Sequence, residues 1–244
     1  MPRFFVKKEL IADGKIYIKD ADAHHIARSL RMAEGDLVTI SDGNGLEYSC
    51  RLTRIRDDEC ECEILSSGIG SSESPVEITL CMAYPKGDKL ETVIQKAVEL
   101  GASGILPFES SRCIKRPKAE KIDKQLTRLA RIAEEAAKQC GRARIPRVLP
   151  PASFSDMLKI AAKNELVLFC YEAEEDHSVK SVLKDRPRPA SIAVIVGSEG
   201  GFSPEEAKQI AESGATTVSL GKRILRCETA PDFVLSAISY EYEI

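Results

Sequence analysis

The chain has 244 residues, of which 43% are hydrophobic and 30% are charged, and its formal net charge is −3. This length accommodates one or two domains of ordinary size, and the composition excludes a fibrous or disordered chain. No apolar run approaches the roughly 18 residues that a membrane-spanning helix needs, and the N-terminus lacks the apolar stretch of a signal peptide. We therefore expect a cytoplasmic protein with no membrane partner.

The beginning of the chain contains short segments in which apolar and polar residues alternate, as they do in half-buried β-strands. These segments are GKIYIKD (14–20), DLVTISDGNGLEYSCRLTRI (36–55) and ECECEIL (59–65). Asp-Gly and Asn-Gly pairs at 42–45 supply the positive φ angles of a hairpin turn. The pattern predicts a small β-barrel in an N-terminal domain of residues 1–70. The run SSGIGSSESP at 66–75 is predicted to be a linker, because Ser and Gly bury little apolar surface.

The eight cysteines contain no C-x-x-C pair, and no signal peptide directs the chain to an oxidising compartment. We therefore expect reduced thiols. Cys60 and Cys62 alternate with glutamates, which favours a half-buried strand over a zinc site. No other segment has the spacing of metal ligands, so no metal is expected.

Residues 71–244 are predicted to form a second domain of the α/β class. Apolar segments of strand length alternate there with helical patterns, which is typical of a parallel sheet covered by helices on both faces. Strands are predicted at 76–84, 104–108, 165–172, 191–197 and 216–221.

Two helices are predicted from apolar residues that recur at every third or fourth position. The first lies within 88–101 and ends at Gly101, and the second covers 118–140 and ends at Gly141. Their expected inward faces consist of Leu90, Val93, Ile94, Ala97 and Leu100 in the first helix, and of Ile122, Leu126, Leu129, Ala133, Ala136 and Cys140 in the second.

Positive charge is concentrated between residues 112 and 147, a stretch that contains twelve Lys or Arg and only four Asp or Glu. Such a block is either a solvated helix face or a surface for nucleic-acid phosphates. For Arg128 and Arg131 the solvated helix face is the better interpretation. The candidate RNA-binding residues are Arg112, Lys115, Arg116, Arg142 and Arg144.

A glycine-rich bend occurs in IVGSEGGFSPEEA (195–207), where a predicted strand ends at Val196. Ser203, Pro204 and Glu206 match a capping box with proline in the first helical turn. Ligands bind at such strand ends in open α/β sheets, but the bend is neither a P-loop nor a dinucleotide fingerprint. The anionic Glu199 disfavours a polyphosphate and suits a neutral or cationic ligand. A tight turn without a ligand is the alternative.

A second strand-loop-helix unit follows directly, with the strand at 216–221, a basic loop and a C-terminal helix. We expect Thr229 to cap this helix and Pro231 to lie in its first turn. Two such units in succession predict that loops 197–201 and 220–228 surround one pocket. Arg223 and Arg226 would be fixed cations there, because arginine stays protonated at neutral pH.

Four separated segments resemble the ribosomal RNA small subunit methyltransferase E family of the SPOUT class. They are KGDKLETVIQKAVELGASGILPFESSRC (86–113), EEAAKQCGRARIPRV (134–148), IVGSEGGFSPEE (195–206) and LGKRILRCETA (220–230). The segment DADAHHIARSLRMAEGD (20–36) is similar to the PUA-like barrel of that family, so the resemblance covers nearly the whole chain.

The resemblance implies a C-terminal domain with a deep trefoil knot that binds S-adenosylmethionine and works as a homodimer. It also implies methylation of N3 of a uridine in 16S ribosomal RNA of the small subunit. Local sequence patterns do not predict a knot, because protein connections almost never thread loops.

The resemblance also assigns roles to single residues. Those implied to wrap the cofactor are Gly197, Glu199, Gly200, Gly201, Leu220, Gly221, Ile224 and Leu225. Arg226 and Glu228 are implied to face the uridine. Our hypothesis is that Arg226 donates to a uracil carbonyl, and that Glu228 takes the N3 proton or orients Arg226.

Two positions depart from the family pattern: Ser198 stands where proline is usual, and Pro231 lies in a stretch that is usually small and apolar. Three alternatives also stay open. They are an RNA-binding module without catalysis, a SPOUT enzyme that methylates a ribose 2′-oxygen or a guanine, and a dinucleotide-dependent oxidoreductase.

Overall fold

The computed structural model describes residues 1–114, 116–117 and 119–244. The chain forms two compact units: the first contains Met1–Glu73 and Ala137–Ile145, and the second contains Ser74–Ala136 and Pro146–Ile244. The first unit therefore includes a short segment from the middle of the chain. The predicted domains, 1–70 and 71–244, place residues 137–145 in the second domain instead. This division into domains stays a prediction.

The first unit is built on one six-stranded sheet. Its strands are β1 (Arg3–Phe5), β2 (Ile11–Ala12), β3 (Lys15–Lys19), β4 (Leu37–Ser41), β5 (Leu46–Ile55) and β6 (Glu59–Ile69). Their order is β1-β4-β5-β6-β3-β2, with β1 and β4 parallel and the other pairs antiparallel. Within residues 1–73, all of which the structure describes, β1 and β2 are the two edges of the sheet.

Two helical segments complete this part of the first unit. A short 3-10 helix, Lys8–Leu10, precedes β2. Helix α1 (Asp20–His24) follows β3 and continues as a single π-helical turn, His25–Ser29.

The alternating residues of the first unit pack as the sequence predicts. Cys60 and Cys62 are fully buried between exposed or half-buried glutamates, which confirms the strand interpretation. In the hairpin, Gly43 and Gly45 have φ angles of +74° and +108°, and Asp42 accepts a hydrogen bond from the Asn44 amide at 2.8 Å. The predicted hairpin is therefore confirmed.

The predicted linker at 66–75 is wrong in its first residues, because β6 continues to Ile69. Residues 66–69 pair with the Leu46 end of β5, with Leu46 opposite Ile69. The neighbouring strand supplies partners for the backbone N–H and C=O groups of these Ser and Gly residues, and this pairing needs no apolar side chain.

The segment Ala137–Ile145 joins the first unit through polar contacts. The Glu73 carboxylate accepts hydrogen bonds from the amides of Ala143 and Arg144 at 3.0 and 2.9 Å. Ser41 donates from Oγ to the Ala143 carbonyl at 2.6 Å. Because Ser41 and Ala143 are fully buried, these bonds fix the segment on the sheet.

The second unit contains a fully parallel six-stranded sheet with the order β12-β10-β11-β7-β8-β9. Its strands are β7 (Glu77–Ala83), β8 (Gly104–Phe108), β9 (Arg147–Val148), β10 (Leu166–Cys170), β11 (Ser191–Val196) and β12 (Thr216–Val218). The five predicted strands are confirmed, although β12 is shorter than expected, and the two-residue β9 was not predicted.

Helices connect successive strands of this sheet, and a last helix follows β12. They are α2 (Lys89–Glu99), α3 (Ile122–Cys140), α4 (Phe154–Ala161), α5 (Val179–Lys184), α6 (Pro204–Glu212) and α7 (Thr229–Tyr242). A 3-10 turn, Ala119–Lys121, leads into α3, and the predicted start of that helix at Lys118 lies outside the described residues. Helices α4 and α5 were not predicted. Over the described ranges, no helix combines the length and apolar character needed to cross a membrane.

The start of α7 differs from the prediction, because Thr229 is its first helical residue rather than its cap. The amides of Thr229 and Ala230 both donate to the Arg226 carbonyl at 2.9 Å. A backbone carbonyl therefore satisfies N–H groups that a capping side chain would otherwise bind. Pro231 lies in the first turn, as predicted.

Candidate active site

A cleft of about 540 Å³ lies at the carboxyl ends of β10, β11 and β12, which are neighbours in the parallel sheet. Its walls include residues 170–172, 196–199 and 219–227, together with Lys89, Gly201 and Ala230. Each wall segment follows directly from one strand. The prediction that the glycine-rich bend and the basic loop share one pocket is confirmed.

The capping box fixes the helix that follows the glycine-rich bend. The Glu206 amide donates to Ser203 Oγ at 3.2 Å, and the Ser203 amide donates to the Glu206 carboxylate at 3.0 Å. The same carboxylate accepts bonds from the amide and hydroxyl of Ser111 at 2.6 and 2.8 Å. The predicted capping box is confirmed, and it also anchors the chain that follows β8.

At two positions of the bend, neighbouring atoms lie so close to the backbone that only glycine fits without strain. A Cβ on Gly197 would lie 2.9 Å from the buried ring of Phe202, and Gly201 has a φ of +62° with Glu172 nearby. Any other residue would clash at Gly197 or be strained at Gly201. The bend therefore brings backbone to the cleft at two points where a side chain would not fit.

Ser198 is 7% exposed, and its Oγ has no hydrogen-bond partner among the described residues. A buried hydroxyl without a partner is unfavourable by about 1 to 3 kcal/mol. Ser198 is thus an unsatisfied polar group in the wall of the cleft.

A cluster of three charged residues lies beside the cleft. The ammonium of Lys89 lies 3.1 Å from the Glu199 carboxylate and 3.1 Å from the Glu228 carboxylate. The amide of Lys86 also donates to both oxygens of Glu199 at 3.2 Å. Glu199 and Glu228 belong to different loops, so one lysine side chain links the two loops.

Both carboxyl groups of this cluster are held ionised. The Cys227 thiol, 3.2 Å away, lowers the pKa of Glu228 to about 2, and Glu228's own backbone and Lys89 add to this effect. Burial opposes the ionisation of Glu199, but its backbone, Lys89 and Lys86 outweigh burial and lower its pKa. Burial raises the pKa of Cys227 to about 12, so this residue remains a thiol at neutral pH.

The basic loop is more open than the glycine-rich bend. Gly221, Ile224 and Arg226 are exposed, and Leu220 and Leu225 are half-buried. The Arg226 side chain has no hydrogen bond or ion pair with any residue that the structure describes. The hypothesis that Glu228 orients Arg226 is thus without a contact to support it, since Glu228 binds Lys89 and Cys227.

Sequence reasoning missed several residues of the site, among them Lys89, Tyr171 and Glu172. Tyr171 and Glu172 follow β10, so a search of every predicted strand end would have found them. Lys89 begins α2, and no local signal distinguishes it from other surface lysines.

The candidate RNA-binding residues occupy different environments. Arg112 is exposed and donates to the Gly200 carbonyl at 3.1 Å, which places it against the glycine-rich bend. Arg116 and Arg144 are also exposed, and Lys115 lies outside the described residues.

The structure corrects the prediction for Arg142, which is only 4% exposed. Its guanidinium donates to the Glu73 carboxylate at 2.6 Å. A buried guanidinium that is bound to a carboxylate is not available to a phosphate, so Arg142 has a structural role instead.

Arg128 and Arg131 behave as the solvated-face interpretation predicts. Both are exposed, and they pair with Glu91 and Glu135 at 2.9 and 3.1 Å. Such exposed ion pairs are typical of a solvated helix surface.

Comparison with known proteins identifies the family. Residues 72–239 match an RNA methyltransferase domain, and residues 18–65 match the PUA domain of RNA methyltransferases. The ribosomal RNA small subunit methyltransferase E of Bacillus subtilis (strain 168) is 34% identical over 251 aligned positions, which cover 100% of this chain and 98% of the relative. The chain belongs to the ribosomal RNA small subunit methyltransferase E family.

Other members of the methyltransferase E family agree with this assignment. The member from Synechocystis sp. is 32% identical and covers 97% of this chain and 77% of the relative. A crystal structure of the member from Neisseria gonorrhoeae, bound to S-adenosyl methionine, superposes with a TM-score of 0.87 at 34% identity. That match covers 98% of this chain and 97% of the other.

Proposed function

We propose that this chain transfers a methyl group from S-adenosylmethionine to N3 of a uridine in the 16S ribosomal RNA of the small subunit. In this proposal the second unit is a SPOUT domain with a deep trefoil knot, the protein is a cytoplasmic homodimer, and the first unit contributes to RNA binding. The observation that carries the proposal is the cleft at three neighbouring strand ends, bounded by two loops of the methyltransferase E pattern.

The residues of the cleft fit this cofactor. A volume of about 540 Å³ lies in the range of small-molecule sites. The unpartnered Ser198 hydroxyl is a polar group that a ligand can satisfy. In the described chain, the amides of residues 222–225 donate to no protein acceptor, which leaves donors for a nucleoside. When bound, the cofactor supplies a methyl group made electrophilic by the attached sulfonium.

In the proposal, Gly197 and Gly201 form one wall of the cofactor site. Gly200 belongs to the same bend but does not line the cleft, and its carbonyl accepts a hydrogen bond from Arg112. Leu220, Gly221, Ile224 and Leu225 form the other wall. The role of Glu199 is indirect, because its carboxylate is already bound by Lys86 and Lys89. It holds the glycine-rich bend in shape rather than contacting the ligand through both oxygens.

Arg226 is proposed to act on the uracil. N3 carries a proton with a pKa well above 7, and negative charge spreads to the neighbouring carbonyl oxygens as this proton leaves. A permanently charged guanidinium that has no partner among the described side chains can donate to such an oxygen. The target base must be unpaired or flipped to expose N3, because N3 lies on the Watson–Crick edge.

Glu228 is proposed to act as a fixed anion rather than as the proton acceptor. A general base works best when its pKa lies near the working pH, and the pKa of Glu228 is lowered to about 2. The basic loop is exposed at Lys222, Arg223 and Ile224, so water can reach this edge of the cleft. The N3 proton is therefore proposed to leave to solvent.

The RNA backbone is proposed to contact Arg112, Lys115, Arg116 and Arg144. Three of these side chains are exposed in the structure. Phosphate contacts position an RNA without reading its sequence. Arg112 also touches the glycine-rich bend, so RNA bound there would lie beside the cofactor site.

The homodimer is supported by an exposed apolar face on α7. Phe233 and Tyr240 are two turns apart on this helix and are 44% and 73% exposed. A second copy of the chain is the proposed partner for this face.

The test is nucleoside mass spectrometry of ribosomal RNA after 30S subunits are incubated with the purified protein and labelled S-adenosylmethionine. The proposal expects labelled 3-methyluridine. Labelled 2′-O-methyl nucleosides or methylguanine would instead support another SPOUT activity. An absence of both label and cofactor binding would support an RNA-binding module without catalysis.

A further inference from the structure

Lys89 pairs with two carboxylates that belong to two different loops of the second unit. It is the first residue of α2, and its Nζ lies 3.1 Å from a carboxylate oxygen of Glu199 and 3.1 Å from one of Glu228. Glu199 belongs to the bend after β11, and Glu228 belongs to the loop after β12. The side chain is about one-third exposed, so the link forms at the rim of the cleft.

We propose that Lys89 is a positioning residue that couples the cofactor side of the cleft to the uridine side. This inference rests on the proposed function, in which the bend holds the cofactor and the Arg226–Glu228 loop holds the uridine. One ammonium with three N–H donors can bind two carboxylates at once, so it fixes the two loops relative to each other.

The charges around Lys89 explain why its removal should affect both loops. Without the ammonium, two carboxylates that share one partner would face each other without a counter-charge, and like charges repel. Each carboxylate also has a second partner: the Lys86 amide on Glu199 and the Cys227 thiol on Glu228. We therefore expect the loops to shift rather than the domain to unfold.

A neighbouring lysine provides a matched control. Lys96 lies two turns further along α2 and pairs with Asp232 of α7 at 2.8 Å. It also links α2 to the C-terminal part of the chain, but it does not line the cleft. A general effect of losing one ion pair from α2 should appear equally in Lys96→Met.

The first experiment compares Lys89→Met, Lys89→Arg and Lys96→Met with the wild-type full chain. Cofactor affinity is measured by calorimetry, and kcat and KM are measured on 30S subunits. Lys89→Met should weaken cofactor binding roughly fivefold and lower kcat roughly tenfold. Lys89→Arg should restore most of both losses, because a guanidinium can also span two carboxylates. Lys96→Met should change neither.

Two double-mutant cycles test the Lys89–Glu199 pair and the Lys89–Glu228 pair separately. If Lys89 acts through Glu199, Lys89→Met should add little to the loss of cofactor affinity in Glu199→Gln. If it acts through Glu228, it should add little to the loss of kcat in Glu228→Gln. Losses that simply multiply in both cycles, or a Lys89→Met variant that behaves like Lys96→Met, would overturn the inference.

The results that would overturn the role of Lys89 differ from those that would overturn the proposed function. A wild-type chain that binds the cofactor but makes no 3-methyluridine would contradict the function, while the calorimetric cycle with Glu199→Gln would still test the link. A wild-type chain that does not bind the cofactor would overturn both proposals.

Discussion

The guanidinium of Arg142 lies against the carboxylate of Glu73 at 2.6 Å, and the side chain of this arginine is only 5% exposed. Glu73 is the last residue of the long N-terminal part of the first unit, and Arg142 belongs to the short segment Ala137–Ile145. The pair therefore joins two parts of one unit that are far apart in sequence.

Replacing Arg142 should destabilise the protein. Arg142→Ala leaves the Glu73 carboxylate partly buried without its counter-ion, which lowers the free energy of unfolding by about 3 kcal/mol. Chemical denaturation measures this change. The control is Arg131→Ala, which removes an exposed pair with Glu135 and should change stability by less than about 0.5 kcal/mol. Equal effects in the two variants would contradict the structural role of Arg142.

Replacing Arg226 should remove turnover but preserve cofactor binding. Arg226→Ala is expected to lower kcat by about 100-fold or more, because it removes a donor to the developing uracil anion. Calorimetry with S-adenosylmethionine should give a nearly unchanged affinity. Arg226→Lys keeps the charge but loses the fork of donors, so it should recover only part of kcat. A large loss of cofactor affinity in Arg226→Ala would place this residue in the cofactor site instead.

Binding to 30S subunits should weaken steeply as salt increases. Each lost phosphate contact reduces the slope of log affinity against log salt by about 0.7 to 0.9. We expect this reduction for Arg112→Ala and for Arg116→Ala, measured by filter binding over a salt series. Arg128→Ala is the control, because Arg128 pairs with Glu91. An unchanged slope in the first two variants would exclude them as phosphate contacts.

The activity should show no titration of Glu228 at working pH. Its pKa is lowered to about 2, so the carboxylate stays ionised from about pH 5 to pH 8. If kcat rises with pH over this range, the rise should therefore come from ionisation of the substrate and not from Glu228. A limb of the profile that disappears in Glu228→Gln would show that this residue takes the proton after all.

The lowered pKa of Glu228 also makes the stability of the protein depend on pH. A depressed pKa stabilises the folded state above the unfolded value of 4.5, and this contribution is lost as the pH falls towards about 2. Denaturation at several pH values should show a smaller acid-dependent loss of stability in Glu228→Gln than in the wild type.

Local features of the sequence were sufficient for most strands and for the capping box of α6. Apolar runs between turn residues located β7, β8, β10 and β11, and the Ser203–Glu206 spacing located the start of α6. These features depend on neighbours within a few residues. The position of the cleft followed from the same reasoning, because strand ends meet at one edge of a parallel sheet.

Contacts between distant residues were beyond this reasoning. The charge of Arg142 suggested a phosphate contact, since nothing nearby shows that Glu73 neutralises it. Lys89 gave no signal because its partners, Glu199 and Glu228, lie more than a hundred residues further along the chain. Residues 66–69 were predicted to be a linker because they lack the apolar side chains of a buried strand. They form a strand through backbone hydrogen bonds to β5, which the side-chain pattern does not reveal.

The cysteines near the cleft also bear on how the protein responds to reactive chemicals. Burial raises the pKa values of Cys170 and Cys227 to about 12, although both residues line the cleft. Alkylating agents and peroxides attack the thiolate form, which is almost absent at neutral pH for such groups. Electrophilic inhibitors directed at these two thiols should therefore react with them slowly at neutral pH.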